Sequence, residues 1–424
     1  MLDAFFMKDV EKFIDNAHYT VWKFPARKDA YEKQARPLIY LYSIMTRAYG
    51  TWFNEDSFIT YFNDEGFDVY LVDWGKSELF TLSGWTLDGM SEIFEKQVID
   101  PLLKLYKIKT LNVFAICIGG LILTYLINNR KYAVTDKLHR VAYYGVPNWG
   151  ERDLGMAKTF RLFYELMDPC RDMFKNSGLS LFFLNMLILY SASPSMIDWS
   201  WREYFKENKN GSLANIINWT LDDRWVPFSV IMDILEISAI LDWEEKHDYH
   251  FDGCTENMHF LSIVGMDDQL VSPSSSIIEW NSPIPGEFKS FQQLIIDTDH
   301  FMFSRPGFKQ EKISIAWWFA GYNFSSLIHK LKTDRSERFV ERSQRIIKEC
   351  LTSAYKRAGR VERISLGDSL NKLSETDPAI TDIGELIDQF VKAVQERDDE
   401  DFYNDVERMI TPIVAKHQHR QGER

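Results

Sequence analysis

Six short runs of apolar, β-branched and aromatic residues restrict what this chain can fold into more than any other feature. They are PLIYLYS (37–43), FDVYLVD (67–73), TLNVFAI (110–116), RVAYYGV (140–146), MHFLSIVG (258–265) and FQQLIID (291–297). A strand with water on one side alternates in polarity. A run with little alternation suits a strand buried on both faces, as in a parallel sheet covered by helices. Helical stretches such as TLDGMSEIFEKQVIDPLLKLY (86–106) fill the gaps between the early runs. The expectation is an α/β fold with a mostly parallel central sheet, built from residues 1–150 and 251–333. The Trp- and Phe-rich stretch 151–250 interrupts the alternation and reads as an inserted, mainly helical cap.

The chain has 424 residues, 45% hydrophobic and 15% aromatic, enough for a large buried core. Lys and Arg number 49 against 62 Asp and Glu, a net charge of −13, so nothing attracts the chain globally to nucleic acid. The start, MLDAFFMKDVEKF, lacks the basic, apolar and small-residue pattern of a secretory signal. The four cysteines, Cys117, Cys170, Cys254 and Cys350, are scattered without a CxxC pair. Neither a disulfide framework nor a structural zinc site is expected, and a reducing cytoplasm suits the pattern. No run reaches the roughly 18 apolar residues that cross a bilayer, so no transmembrane segment is expected. The nearest, LSLFFLNMLILY (179–190), has the length of a buried helix or of a lid with a lipid-like surface.

Composition changes at residue 334. All 13 tryptophans lie at or before Trp318, and 334–424 carries 16 basic and 19 acidic residues. Within it Ile383, Leu386, Ile387, Phe390, Val391 and Val394 fall on one helix face. This stretch is expected to be a charged helical C-terminal extension, serving a partner or self-association, or packing on its own core.

In an open parallel sheet, chemistry gathers at the carboxyl ends of the strands. The stretch NVFAICIGGLILTYL (112–126) places Cys117 where a strand should end and a helix begin, followed by Gly119 and Gly120. Small neighbours let strand and helix approach closely around a residue held in a sharp turn, which is the nucleophile-elbow pattern with Ala115 at its first small position. The competing reading, a buried cysteine acting as a small hydrophobe, does not account for the glycines. The backbone N–H of Ile118 would face an oxyanion, and the loop SIMTR (43–47), with Ile44 and Met45, offers a second donor. A helix N-terminus also favours a thiolate. After the fifth run come Asp267 and Asp268, which spacing alone does not separate; after the sixth comes His300. The order nucleophile, acid, histidine is that of α/β-hydrolases. His247 and His250 form an HxxH without a further ligand at metal spacing, so no metal site is expected. DWGKS (73–77) imitates the end of a phosphate-binding loop, but Tyr70 stands where that loop needs glycine.

Taken together, PLIYLYSIMTRAY (37–49), GFDVYLVDWG (66–75), AICIGG (115–120), DDQLVSP (267–273) and DTDH (297–300) resemble the polyhydroxyalkanoate synthases. These are α/β-hydrolase-fold acyltransferases with a Gly-x-Cys-x-Gly-Gly box, and the resemblance spans about residues 35–320, closest to the short, two-subunit type. It implies an α/β-hydrolase fold with Cys117 as nucleophile, His300 as base and Asp268 as acid. It further implies polymerisation of (R)-3-hydroxyacyl-CoA through a cysteinyl acyl-enzyme, with coenzyme A entering only as the substrate thioester and no other cofactor. Implied partners are the growing polyester chain and a second copy or a helical subunit, in the cytoplasm or on polyester granules. Ala115, Gln269 and Asp299 stand where that family carries Gly, His and Gly. A cysteine-nucleophile thioesterase or esterase on the same scaffold is the alternative, and a non-catalytic scaffold protein a third.

Overall fold

The structure is a computed structural model. It describes residues 10–16, 19–27, 33–44, 48, 51, 56–74, 85–147, 164, 167–174, 178–180, 225–239, 255–265, 268, 270–271, 276, 288–296, 298–300, 302 and 308–321. Most of the 151–250 stretch, the HxxH histidines and the whole 334–424 extension lie outside the described residues.

The six apolar runs form strands β3 (Leu38–Leu41), β4 (Val69–Trp74), β5 (Leu111–Ile116), β6 (Leu138–Tyr144), β9 (His259–Gly265) and β10 (Ser290–Ile296). They lie parallel in an eight-stranded sheet of order β1-β2-β4-β3-β5-β6-β9-β10. Two strands absent from the sequence reading complete it. β1 (Glu11–Asp15) and β2 (Tyr19–Phe24) add antiparallel on the β4 side. β1 is exposed or half-buried along its length, so it lacks the apolar signature of the interior strands.

Between β4 and β5 the expected helix spans α2 (Leu87–Ile93), a wide π-helical turn (Phe94–Ile99) and α3 (Asp100–Tyr106). Thr86 starts it, its side chain accepting the N–H of Gly89. Pro101 cannot donate to the preceding turn and its ring crowds that turn's carbonyls, which accounts for the widening just before it. On one face of the sheet, α1 (Phe58–Asp64) meets a late helix, Lys309–Ala320. There Phe58, Phe62, Phe114 and Phe319 interlock, with ring centroids 4.9–6.2 Å apart.

After β5 come α4 (Ile118–Arg130) and α5 (Tyr132–Thr135). Within 151–250 the described elements are α6 (Arg171–Phe174), an antiparallel pair of β7 (Gly178–Ser180) and β8 (Trp225–Pro227), and α7 (Phe228–Ala239). Leu179 and Ser180, read from sequence as the start of a helix, thus lie in a strand; the rest of 181–190 lies outside the described residues. The helix at Lys309–Ala320 is α8. Among the described residues no helix is long and apolar enough to cross a membrane.

The strand order dictates where a site can form. From β3 the chain moves outward to β4, then returns past β3 to β5 and proceeds the other way to β6. That reversal opens a crevice at the carboxyl ends of β3 and β5, the place where ligands bind in open α/β sheets. A mostly parallel sheet with a strand-turn-helix at β5 and the acid and histidine after later strands is the α/β-hydrolase arrangement. The chain has the α/β-hydrolase fold.

Candidate active site

Cys117 stands between the last residue of β5 and the first of α4, with φ 53° and ψ −127°. This left-handed backbone is rare for a residue with a side chain and costs on the order of 1–3 kcal/mol, so the surroundings must impose it. They do so by close packing. A Cβ on Gly119 would lie 2.4 Å from the carbonyl oxygen of Leu41 and 2.9 Å from that of Tyr42; one on Gly120 would lie 2.2 Å from Val146. Both contacts are possible only for glycine, and they draw the start of α4 against the ends of β3 and β6. The backbone N–H of Cys117 donates to the Tyr144 carbonyl at 3.0 Å, tying the turn to β6. Ala115 needs no such freedom. It sits in regular β5 between Leu41 of β3 and Tyr143 of β6, its methyl buried.

Of the oxyanion candidates, Ile118 is the first residue of α4 and Ile44 lies buried three residues beyond the end of β3, the strand that Gly119 abuts. Met45 lies outside the described residues. The loop that carries Ile44 is held by a residue the sequence reading placed at a strand end and in motif matches, without a role of its own. Asp73, buried near the carboxyl end of β4, accepts the N–H of Ala48 at 3.0 Å, and Thr51 donates to the Ala48 carbonyl at 2.8 Å.

The other two expected residues meet at the same edge. His300 Nδ1 lies 2.6 Å from Asp268 Oδ2, although 32 residues separate them in sequence. The second Asp268 oxygen accepts the backbone N–H groups of Leu270 at 3.0 Å and Val271 at 2.8 Å, which locks the carboxylate's direction. With Nδ1 so engaged, Nε2 is the nitrogen left for Cys117, to which His300 is also hydrogen-bonded. Cys117, Asp268 and His300 are 6%, 3% and 3% exposed. Burial opposes a charge on His300, yet the Asp268 carboxylate and the Cys117 sulfur outweigh it and hold the imidazolium well above the usual histidine range. The rival acid, Asp267, lies outside the described residues.

Tyr144 and Gly145 also belong to this site, and nothing in the sequence reading marked them. Gly145 has φ +55°, and a Cβ there would come within 2.9 Å of the His300 ring and 3.1 Å of Asp268 Oδ2. The tripeptide YYG at the end of an apolar run was the only available signal. Among the described residues no group of three histidine, cysteine or acidic side chains could hold a metal ion.

No protein-family model matches this sequence, and no curated protein matches it. Solved structures similar to it include a hydrolase from Pseudomonas aeruginosa PA01, 14% identical, covering 74% of this chain and all of that one, with a TM-score of 0.46. A monoacylglycerol lipase from Paleococcus ferrophilus is 15% identical over 72% of this chain and 99% of its own, TM-score 0.45. A thermophilic esterase from Thermogutta terrifontis is 12% identical over 73% of this chain and 96% of its own, TM-score 0.43. Likeness at this level decides nothing about the reaction, and the fold stands on its own strand order.

Proposed function

We propose that this protein is an acyl-transferring enzyme that works through a cysteinyl acyl-enzyme, with (R)-3-hydroxyacyl-CoA thioesters as donors and a hydroxyl group as acceptor. The observation that carries the covalent step is the chain of contacts from Asp268 through His300 to Cys117 at a strained strand-to-helix turn. The choice of donor and acceptor rests on the motif resemblance to the polyhydroxyalkanoate synthases.

The chemistry follows from the groups present. The Cys117 thiolate attacks the thioester carbonyl, and the oxyanion faces the N–H of Ile118 with Ile44 or Met45 as second donor. Collapse expels the coenzyme A thiolate, which takes the proton held on His300 Nε2. One thioester replaces another, so little free energy is lost. An acceptor hydroxyl then attacks the acyl-enzyme while passing its proton to His300. The bond to sulfur breaks, the product is an ester, and the cysteine is restored. Asp268 keeps His300 in one tautomer and stabilises its cation in both halves. No further cofactor is required.

If water takes the acceptor's place, the same residues make a thioesterase or esterase. Gln269 and Asp299, where the synthases carry His and Gly, flank the acid and the histidine and favour keeping this second reading. Purified full-length chain given 3-hydroxybutyryl-CoA separates the two. Coenzyme A release with polymer formation, absent in Cys117→Ala, is the result expected of the synthase reading. Stoichiometric free acid without polymer assigns the protein to the hydrolases.

A further inference from the structure

We infer that Tyr144 is the positioning residue that fixes the His300 loop to the cysteine turn and so holds the imidazole on Cys117. This rests on the reading of Cys117, His300 and Asp268 as the working triad.

Tyr144 ends β6, the strand between the one that delivers Cys117 and the one that precedes Asp268. Its carbonyl accepts the Cys117 N–H at 3.0 Å. Its hydroxyl donates to the Asp299 carbonyl at 2.5 Å, one residue before His300 and 155 residues away in sequence. Thr298 Oγ1 also donates to that carbonyl, at a long 3.4 Å. The phenol ring lies 23° from parallel to the His300 ring, with centroids 6.3 Å apart, and is wholly buried. The next residue, Gly145, runs its backbone under the His300–Asp268 pair. One dipeptide therefore touches the nucleophile's backbone, the base and the acid.

The physical consequence is specific. An ordinary peptide plane before His300 could rotate and swing the imidazole. With its carbonyl bonded to a phenol on a central strand, the plane is fixed relative to Cys117, and rotation would break a buried hydrogen bond. A residue that merely filled space would need the ring and not the hydroxyl. Tyr144→Phe separates the two roles.

The test is the pH dependence of Cys117 alkylation by iodoacetamide in the full chain, followed on the Cys117 peptide by mass spectrometry, because this readout needs no substrate. Cys117→Ala fixes the background, and His300→Ala shows what loss of the base does. Tyr144→Phe is expected to slow alkylation at pH 7 about tenfold and to displace the profile towards that of His300→Ala. With an acyl-CoA substrate it should lower kcat and leave KM unchanged. A Tyr144→Phe profile that overlays wild type, beside a displaced His300→Ala profile, overturns the inference alone. A His300→Ala profile equal to wild type overturns the triad reading and the inference with it. If Tyr144→Phe loses its cooperative thermal transition, 4-fluorophenylalanine at Tyr144 retains the ring and fills the hydroxyl's place without a donor. A displaced profile then supports the inference and an unmoved one overturns it.

Discussion

His300 and the pair His139–His259 occupy opposite ends of neighbouring parallel strands, and they titrate in opposite directions. At the carboxyl end His300 is held well above its ordinary value by Asp268 and Cys117, against the cost of burial. At the amino end the rings of His139 and His259 lie 5.3 Å apart. Burial pushes both down to about 4; the charges of Arg140 and Lys289 reinforce the effect at both, and that of Arg36 at His139. Burial acts in the same sense at all three. The neighbour decides the outcome: a carboxylate overcomes burial at His300, whereas nearby cations add to burial at the other two. The amino end meets its polar needs locally, with His259 Nδ1 2.6 Å from Ser290 Oγ, Arg36 Nε donating to Thr110 Oγ1 at 2.9 Å and Arg140 lying over the Trp318 ring. Among the described residues, the carboxyl end is where a histidine lies against both a carboxylate and a cysteine.

The contrast breaks most completely if the proposed nucleophile is removed. Cys117→Ala should reduce acyl transfer to background in a coenzyme A release assay while the chain unfolds as cooperatively as wild type. Asp268→Asn comes next, because it strips His300 of its carboxylate and leaves it buried and neutral like the other pair. A loss of about 10³-fold or more in kcat is expected, with His300 no longer charged at pH 7 by NMR. Gly145→Ala should follow, destabilising by about 1–3 kcal/mol in denaturant melts, since it forces a side chain into left-handed backbone against the His300 ring. The His139 and His259 signals should not move in that variant.

The smallest effects concern pH. His139 and His259 have folded values below the unfolded one, so the stability they permit is present above about pH 6.5 and is lost as pH falls towards 4. His139→Gln should flatten that loss by about 1 kcal/mol, allowing for screening at a half-exposed site, as read from melts between pH 4 and 7. His300 has the opposite sign. Its contribution is fully present below about pH 6.5 and disappears as pH rises through its raised folded value. Asp268→Asn removes that contribution while leaving the acid-side loss unchanged.

Much of this was readable from residues alone. The six parallel strands each announce themselves by an apolar run, because a strand covered on both faces favours apolar residues at most positions. Cys117 was legible because a turn between strand and helix needs glycines two and three positions on, and both proved to be jammed against backbone or side chain. β1 and β2 were not legible: β1 is half exposed, and its place is set by pairing with β2, which pairs in turn with β4. Asp73 was legible only as the end of a strand, since its partner Ala48 lies 25 residues upstream.

What the sequence by itself determined is the inventory: a parallel sheet, a cysteine at its bend, and an acid and a histidine after later strands, in an order that local patterns record. Only the tertiary structure decided which atoms meet. The Tyr144 hydroxyl finds a carbonyl 155 residues away, and three histidines at the two ends of one sheet are shifted in opposite directions. Periodicity describes neighbours along the chain, whereas hydrogen bonds and charge act between neighbours in space.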